Sequence, residues 1–338
     1  MELGISTFAE TLPDPHTGRT ITHAERLRDI IGEMEMADKV GLDVYAVGEH
    51  HRSDYAVSAP EVILAAGAAR TSSIRLSSAV TVLSSDDPVR VHERFAMLDG
   101  ISGGRAEIMA GRGSFIESFP LFGYDLNDYD ELFEEKLELL LQLQKGGPIH
   151  WEGKHRALIN GLEVFPRPEQ SEMPIWIASG GTPDSTVRAG KLGLPIALAI
   201  IGGSPRNFAP LVELYKQTAA HAGHRIESLG IASHSHGFVW DTDEEAADLF
   251  FPSTQQGMNK IGSERGWGNY TRRSFDIARS ENGALYCGSP ETVARKIIDL
   301  RKNVGIKRFL LDNMAEFARR GLSCPPVVVG VGLGGTNT

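Results

Sequence analysis

The chain has 338 residues, of which 41% are hydrophobic and 23% charged, and this composition is typical of a globular protein with a sizeable buried core. Its formal net charge is −10 with acidic and basic residues interleaved, which argues against nucleic acid as a partner because nucleic-acid binding needs a basic face. The longest apolar run, 192–201, is too short to cross a membrane, so we expect no membrane association. Cys287 and Cys324 are too few for a disulfide framework and the N-terminus carries no basic leader, so a soluble cytoplasmic protein is expected.

Short apolar segments of strand length alternate with longer segments of helical periodicity along the chain. The predicted strands are 2–8, 43–49, 75–83, 106–111, 174–179, 193–201, 229–240 and 306–312. The predicted helices are 23–40, 60–71, 88–101, 129–143, 183–192, 209–222 and 290–304, with an acidic helix that begins at Asp243. Strands of this apolar kind, separated by helices, predict a parallel sheet covered on its outer side. Since eight such strands close a barrel, the sequence predicts an α/β fold of the (β/α)8 TIM-barrel type with insertions.

Two segments interrupt the alternation. Residues 145–173 contain a Gly-Gly-Pro turn and several further prolines, and we expect a small β insertion there. Residues 251–289 are rich in glycine, arginine and polar side chains, and we expect a long irregular excursion near the barrel mouth. No convincing linker divides the chain, so 1–322 are predicted to form a single domain and 323–338 a poorly ordered tail.

In barrels of this type the active site lies at the carboxyl ends of the strands. Polar residues and glycines gather at the predicted ends, at 49–51, 83–88, 111–113, 179–182 and 201–203. This clustering indicates where a site lies but does not yet indicate a reaction.

The segment 179–185, Ser-Gly-Gly-Thr-Pro-Asp-Ser, has the features of a strand-to-helix turn. Thr182 suits the N-cap position, and Gly180 and Gly181 leave backbone N–H groups accessible. A helix N-terminus with free N–H groups binds phosphate well, although a plainly capped helix start needs no ligand. Arg112, between two glycines after the fourth strand, is placed either to bind the same phosphate or to form a surface ion pair.

Two adjacent histidines, His50 and His51, follow Glu49 at the end of the second strand. Neighbouring residues in a strand point to opposite sides, so one of the two is expected to face the barrel mouth. An imidazole there exchanges protons near its ordinary pKa of about 6.5, whereas a histidine that only completes a structural hydrogen bond is the alternative interpretation.

Together these stretches resemble the bacterial luciferase-like family of flavin-dependent monooxygenases and oxidoreductases. The Glu-His-His sequence at 49–51 is similar to a stretch of that family, and 77–113 looks like its most characteristic region. That region runs from a strand through Pro-Val-Arg to a helix that ends in Leu-Asp-x-Ile-Ser-Gly-Gly-Arg, followed by the fourth strand. Residues 180–201 resemble the family's phosphate turn and sixth strand, and 288–297 a late helix. The resemblance extends to about Asp312.

The resemblance implies a role for several residues. His50 matches the histidine near the flavin ring, where it handles a proton, and Glu49 is expected to orient it. Ala79 and Val80 match the pair that lies against the isoalloxazine, joined in some members by a non-prolyl cis peptide. The positions that match the flavin phosphate site are Arg112, Ser179, Gly180, Gly181 and Thr182.

Three positions depart from luciferases proper. Asp87 stands where luciferases carry a histidine, and Gly111 stands where they carry a cysteine near the flavin. Ser118 stands where they carry an aspartate, with Glu117 one position earlier. These differences argue against light emission from a long-chain aldehyde and leave flavin binding credible.

The activity implied is that of an FMN-dependent monooxygenase or oxidoreductase that uses reduced flavin and O2 on a small organic substrate. No glycine-rich dinucleotide fingerprint opens a helix, so NAD(P)H is expected to act through a separate flavin reductase. An F420-dependent oxidoreductase on the same type of barrel is the alternative, and the family implies a homodimer.

Two interpretations outside that chemistry remain. His234 and His236 form a His-x-His pair on the seventh strand, and such a pair binds metal in some barrel hydrolases. In those hydrolases the pair lies on the first strand, so we expect a core or mouth-lining role and no metal site. The other interpretation is a non-catalytic flavin-binding protein, which the presence of His50 disfavours.

Overall fold

A computed structural model of the protein describes residues 1–15, 17–113 and 115–312. Within these residues eight parallel strands form a closed ring, in which each strand pairs with the next along the chain and β8 pairs with β1. The strands are Glu2–Thr7 (β1), Val44–Val47 (β2), Arg75–Ser78 (β3), Ala106–Gly111 (β4), Ile175–Ser179 (β5), Ile196–Ala199 (β6), Ile231–Val239 (β7) and Arg308–Asp312 (β8). The predicted (β/α)8 barrel is therefore confirmed. The predicted tail 323–338 and Cys324 lie outside the described residues.

Helices on the outside of the barrel connect the successive strands. They are His23–Lys39, Pro60–Ala68, Pro88–Ser102, Tyr129–Gln144, Pro183–Leu192, Ala209–His221 and Pro290–Val304. Residues at the helix ends have the side chains and backbone angles typical of caps. Asp87 accepts hydrogen bonds from the backbone N–H groups of Val89 and Arg90 and so caps the start of the third helix. The C-cap residue of the same helix is Gly103, which has a φ of 67°. In this chain Asp87 therefore has a structural role at a helix start. None of the described helices is both long and apolar enough to span a membrane.

The first predicted insertion is confirmed as a small β unit. Ile149–Trp151 and Ile159–Leu162 pair as an antiparallel two-stranded sheet beside the barrel. Its buried side chains pack on the helix Tyr129–Gln144, where Leu139 and Leu143 are buried in the same cluster.

The second insertion has a different structure from the predicted irregular excursion. The acidic helix extends over Asp243–Arg265 and is followed by the helix Arg272–Arg279 and a short strand, Tyr286–Gly288, that pairs with the end of β7. Glycines and Pro252 weaken intrinsic helix propensity in this region, which is why the sequence suggested a loop. Burial of Phe250 against aromatic neighbours outweighs that loss.

The interior of the barrel changes character along its axis. At the amino-terminal end Arg308 Nη1 lies 2.6 Å from Glu107 Oε2, and the same guanidinium lies over the Trp176 ring at 4.3 Å. The middle is apolar and consists of Val44, Ala46, Ala79, Met109, Trp176, Ala197, Ala232 and Leu310. Side chains alternate along a strand, so inward residues two positions later lie at the carboxyl end, and here they are polar. These residues are Ser6, His234, His236 and Asp312. The polar end is the barrel mouth.

Candidate active site

His50 lies at the barrel mouth in a pocket of aromatic rings. It is 8% exposed, and its ring centroid is 4.3 Å from that of Tyr55, 5.0 Å from Phe115 and 5.4 Å from Phe8. Its Nδ1 lies 3.2 Å from Glu117 Oε1, and no described residue bonds Nε2. A carboxylate that accepts from Nδ1–H leaves Nε2 to exchange a proton, which is the arrangement of an oriented acid–base histidine.

The structure corrects the expectation that Glu49 orients His50, because the two side chains have different partners. Glu49 Oε1 lies 2.9 Å from His51 Nε2, and Glu49 Oε2 accepts a hydrogen bond from the Val82 N–H at 2.9 Å. Residues two apart in extended chain share a side, so Glu49 reaches His51 and not the intervening histidine. The hydrogen bond that His51 donates to Glu49 raises the pKa of His51.

Glu117 takes the orienting role that we expected of Glu49. Burial opposes ionisation of Glu117, but the hydrogen bond from His50 outweighs this effect and lowers the pKa of the carboxyl group. Glu117 comes from the loop after β4, just before the short helix Ser118–Phe122. The signal available in the sequence was its place one position before Ser118, where luciferases carry an acid.

Ala79 and Val80 lie between β3 and the short strand Thr81–Val82, and the peptide bond that joins them is cis, as the resemblance implied. Ala79 belongs to the apolar middle of the barrel, and Val80 packs against it. Gly111 faces Val80, and a Cβ atom at position 111 would lie 2.6 to 2.9 Å from atoms of the Val80 side chain. The glycine that replaces the cysteine of luciferases therefore makes room for Val80.

The predicted phosphate residues come together at the start of the helix Pro183–Leu192. Arg112 Nη2 donates to Ser185 Oγ at 3.1 Å, and Thr182 Oγ1 donates to the same oxygen at 3.0 Å. Because the Thr182 hydroxyl bonds Ser185, it does not cap the first turn of the helix. The backbone N–H groups of that turn therefore have no hydrogen-bond acceptor within the helix. Arg112 also pairs with the exposed Asp130.

The glycines before this helix shape the turn. Gly181 has a φ of 100°, which disfavours any other residue, and its N–H donates to Ser179 Oγ at 3.3 Å. A Cβ atom on Gly180 would meet nothing within 4 Å, so open space borders the turn. Free amides, a guanidinium and open space are what a phosphate group requires, so this site fits the phosphate of FMN or of F420.

A second polar cluster lies across Phe8 from His50. His234 Nε2 lies 2.6 Å from Ser6 Oγ, and its ring stacks on Phe8 at 5.6 Å. His236 Nδ1 lies 2.6 Å from Asp312 Oδ2, and Asp312 is fully buried. The sequence predicted a core or mouth-lining role for the two histidines, and the structure places them at the mouth. Sequence reasoning missed Asp312, although it ends a predicted strand at the same edge of the barrel.

Glu10 joins this cluster from the chain that follows β1. Burial and the neighbouring Asp312 raise the pKa of Glu10 to about 7, against the opposing effects of Arg26 and His236. The unfolded chain releases this proton near pH 4.5, so stability is lost as pH rises from about 4.5 through 7.

Glu10→Gln is therefore expected to stabilise the protein at pH 8 by about 1–3 kcal/mol and to change it little near pH 4.5, since each pH unit in this window is worth about 1.4 kcal/mol. The groups that face Glu10 are Asp312, His236, Arg26 and Tyr55, and all remain in the variant. Urea midpoints at the two pH values measure the difference, with the exposed Glu227→Gln as control. An equal effect of Glu10→Gln at both pH values would contradict the assignment.

The C-terminal part of the helix Asp243–Arg265 borders the mouth through ion pairs, which we call the latch. Arg52 makes two hydrogen bonds to Glu264, of 2.9 and 2.6 Å, and Lys260 Nζ lies 2.7 Å from Asp54 Oδ2. The Arg265 guanidinium lies over the Phe115 ring at 5.2 Å, and Phe115 contacts His50. The insertion therefore forms one wall of the site.

The His-x-His pair lies at the barrel mouth, apart from the acidic group that could hold a metal ion. Among the described residues, the groups close enough to share a metal ion are Asp128, Glu131 and His155 at the surface, and that carboxylate of Glu131 also pairs with Lys154. His234 and His236 are not in that group, and His236 Nδ1 forms a hydrogen bond with Asp312.

The amino-acid sequence is similar to curated proteins. One is the uncharacterised protein y4wF of Sinorhizobium fredii, 35% identical over 240 residues, which are 70% of this chain and 69% of that protein. Another is the N-acetyl-S-alkylcysteine monooxygenase of Bacillus subtilis, 31% identical over 185 residues, 54% of this chain and 53% of that protein. The chain thus spans about half to seven-tenths of the length of these two relatives.

Solved structures share the fold over most of the chain. The monooxygenase RslO1 of Streptomyces bottropensis matches with a TM-score of 0.81 at 22% identity, over 94% of both chains. The oxygenating constituent of 3,6-diketocamphane monooxygenase from Pseudomonas putida, in complex with FMN, matches with a TM-score of 0.74 at 21% identity, over 93% of this chain and 92% of that one. The F420-dependent tetrahydromethanopterin reductase of Methanopyrus kandleri matches with a TM-score of 0.70 at 18% identity, over 92% and 93%.

A family model described as luciferase-like monooxygenase matches residues 1–308. This match covers the barrel from β1 to the start of β8 and includes every residue placed above at the phosphate turn and around His50. The chain therefore belongs to the luciferase-like monooxygenase family.

Proposed function

We propose that the protein is an FMN-dependent monooxygenase that uses reduced flavin and O2 on a small organic substrate. One observation carries the proposal: Arg112 and an uncapped helix N-terminus meet at Ser185, at the same barrel mouth as His50. A relative and a structural neighbour are named as monooxygenases, and the neighbour from Pseudomonas putida is described in complex with FMN. The neighbour from Methanopyrus kandleri makes F420 the alternative cofactor.

Each part of the site has a task in this proposal. When bound, FMN supplies the two-electron and oxygen chemistry that side chains lack. Arg112 and the amides of the turn 179–182 bind the phosphate, and Ala79 and Val80 support the ring. His50, oriented by Glu117, holds or releases a proton at Nε2. We further propose that NAD(P)H delivers reducing equivalents through a separate flavin reductase.

Titration of the purified protein with FMN and, separately, with F420 tests the cofactor assignment by fluorescence quenching. We expect saturable binding of FMN and much weaker binding of F420. Binding of F420 alone would move the protein to hydride transfer, and binding of neither would overturn the proposal. If FMN binds, O2 consumption with a flavin reductase and a panel of small organic compounds tests the oxygenase activity, and a protein that never couples O2 to product is a flavin binder only.

We also propose a homodimer formed by two outer helices, Pro60–Ala68 and Pro88–Ser102. Val62, Met97 and Ile101 expose 67%, 56% and 53% of their surface on these helices, which are tied together by Arg94 and Glu61. Exposed apolar side chains on adjacent helices are typical of an interface.

Met97→Glu is expected to convert the dimer into a monomer of the chain mass, 36.7 kDa, because it places a charge in the apolar contact. Light scattering after size exclusion measures the mass. Ile277→Glu, at an apolar residue 63% exposed on the helix Arg272–Arg279, is the control and should remain dimeric. A wild-type protein that is already monomeric would contradict the proposed dimer.

A further inference from the structure

His236 and Asp312 form a buried acid–base pair that the proposed flavin chemistry does not use. The two residues are direct neighbours in the pairing of β7 with β8, and Asp312 Oδ2 lies 2.6 Å from His236 Nδ1. A carboxylate only accepts hydrogen bonds, so Nδ1 carries a proton. Nε2 is then the nitrogen available to a ligand, and no described residue bonds it. His236 is 23% exposed, whereas Asp312 has no exposed surface.

Unpartnered polar atoms surround this pair. Asp312 Oδ1 and Glu10 Oε2 are buried without a hydrogen-bond partner among the described residues. His234 Nε2 lies 4.0 Å from Asp312 Oδ1 and 2.6 Å from Ser6 Oγ. Buried polar groups without partners are rare in folded proteins, and at a barrel mouth they indicate a place where a polar ligand binds.

The pair lies on the other side of Phe8 from His50. The Phe8 ring centroid is 5.4 Å from that of His50 and 5.6 Å from that of His234, the neighbour of His236 on the same face of β7. The two histidine groups therefore border one mouth, with an aromatic ring between them. A small organic molecule bound at this mouth would therefore lie close to both groups.

We propose that His236, held in place by Asp312, binds the substrate through a hydrogen bond from Nε2–H, and that the substrate therefore carries a neutral oxygen acceptor of the carbonyl type. This inference rests on the proposed function, since it names the substrate class of the same site. It distinguishes a carbonyl compound from a hydrocarbon, which offers no acceptor to an Nε2–H donor.

The charge of the pair supports a donor at Nε2. Burial alone would lower the pKa of His236, but the hydrogen bond and the negative charge of Asp312 outweigh burial and raise it. The charged and titratable groups that face His236 are Asp312 on β8, Glu10 after β1, and His234 on its own strand. Binding of a carbonyl compound should therefore weaken as pH rises and the imidazolium loses its proton.

The test uses cyclohexanone as the carbonyl probe and methylcyclohexane as a probe of similar shape without an oxygen. NMR of the histidine side chains, in protein loaded with FMN, measures binding at His236. We expect cyclohexanone to shift the His236 signals and to bind about tenfold more weakly to His236→Asn, since one hydrogen bond from a charged donor is worth at least this factor. We expect Asp312→Asn to lower the pKa of His236 and to move the loss of affinity to lower pH.

His221→Asn is the matched control, because His221 lies on the outer helix Ala209–His221 and its Nδ1 bonds a helix carbonyl. It should bind cyclohexanone as the wild type does, and all three variants should keep the wild-type affinity for FMN. Equal shifts by both probes, unmoved His236 signals, or unchanged cyclohexanone affinity in His236→Asn would overturn the proposal. If His236→Asn does not fold, the pH dependence of cyclohexanone binding to the wild type tests the proposal. An affinity that does not fall as pH rises would overturn it.

Failure of this inference and failure of the proposed function are separable. FMN binding is measured without any probe, and cyclohexanone binding is repeated on the FMN-free protein. If FMN does not bind but cyclohexanone still shifts the His236 signals, the cofactor assignment is wrong and the His236 site stands. If FMN binds but cyclohexanone does not bind at His236, the proposed cofactor stands and the proposed carbonyl specificity is wrong.

Discussion

Replacing Arg112 with alanine is expected to weaken FMN binding about 100-fold and to leave riboflavin binding unchanged. The guanidinium lies 3.1 Å from Ser185 Oγ at the helix N-terminus, where a phosphate would replace Ser185 and Asp130 as its partner. Two charge-assisted hydrogen bonds contribute about 3 kcal/mol together, which corresponds to about two factors of ten. Riboflavin lacks the phosphate, so it reports on the ring site alone.

Fluorescence quenching with both flavins measures this difference. Arg70→Ala is the matched control, because it removes the same charge from a surface pair with Glu35 that lies after the second outer helix. A parallel loss of riboflavin binding in Arg112→Ala would show that the arginine supports the ring site or the fold, and the phosphate assignment would then be wrong.

Glu107→Gln is expected to destabilise the protein by about 3–5 kcal/mol, because it leaves the buried guanidinium of Arg308 without its main counter-charge. Arg308 Nη1 and Nη2 lie 2.6 and 3.1 Å from the two oxygens of Glu107, and Arg75 Nη1 lies 3.1 Å from Oε1. Glu107 is 1% exposed and Arg308 is 2% exposed. The remaining partner of Arg308, Glu2, is half exposed and cannot replace the buried carboxylate.

Chemical unfolding monitored by far-UV circular dichroism measures the loss. Glu93→Gln removes an equal charge from an exposed pair with Arg90 and should cost at most about 0.5 kcal/mol. Replacing both Glu107 and Arg308 with methionine should recover most of the lost stability, since no unpaired charge then remains buried. A double variant as unstable as Glu107→Gln would show that packing around Trp176, and not charge, controls this end of the barrel.

The barrel and its outer helices could be predicted from the sequence because each element carries its own periodicity and end signals. The helix at 183–192 has the predicted bounds, set by Pro183 at its first position and Gly193 after its last turn. The helix over 251–265 could not be predicted in this way. Its stability comes from burial of Phe250 against residues distant in sequence, and local propensity contains no information on that contact.

The same limit applies to the site. The resemblance placed Arg112, the turn 179–182 and His50 at one mouth, and the structure places them there. The partner of His50 could not be predicted, because Glu117 reaches it from a loop 67 residues away. Asp312 was missed for a related reason, since its pairing with His236 depends on the register between the last two strands of the ring.

The latch has a consequence for how molecules enter and leave the mouth. Its ion pairs join groups that are partly exposed, with Arg52 at 21%, Glu264 at 38% and Lys260 at 41%. Dissolved ions screen such attractions over about 8 Å at physiological ionic strength, whereas the stacking of Phe250 on Phe238 carries no charge for ions to screen. The insertion is therefore anchored at one end by contacts that salt does not weaken and held at the other by contacts that it does. Access of small molecules to the mouth is therefore expected to depend on the salt concentration of the surroundings, while the barrel beneath stays intact.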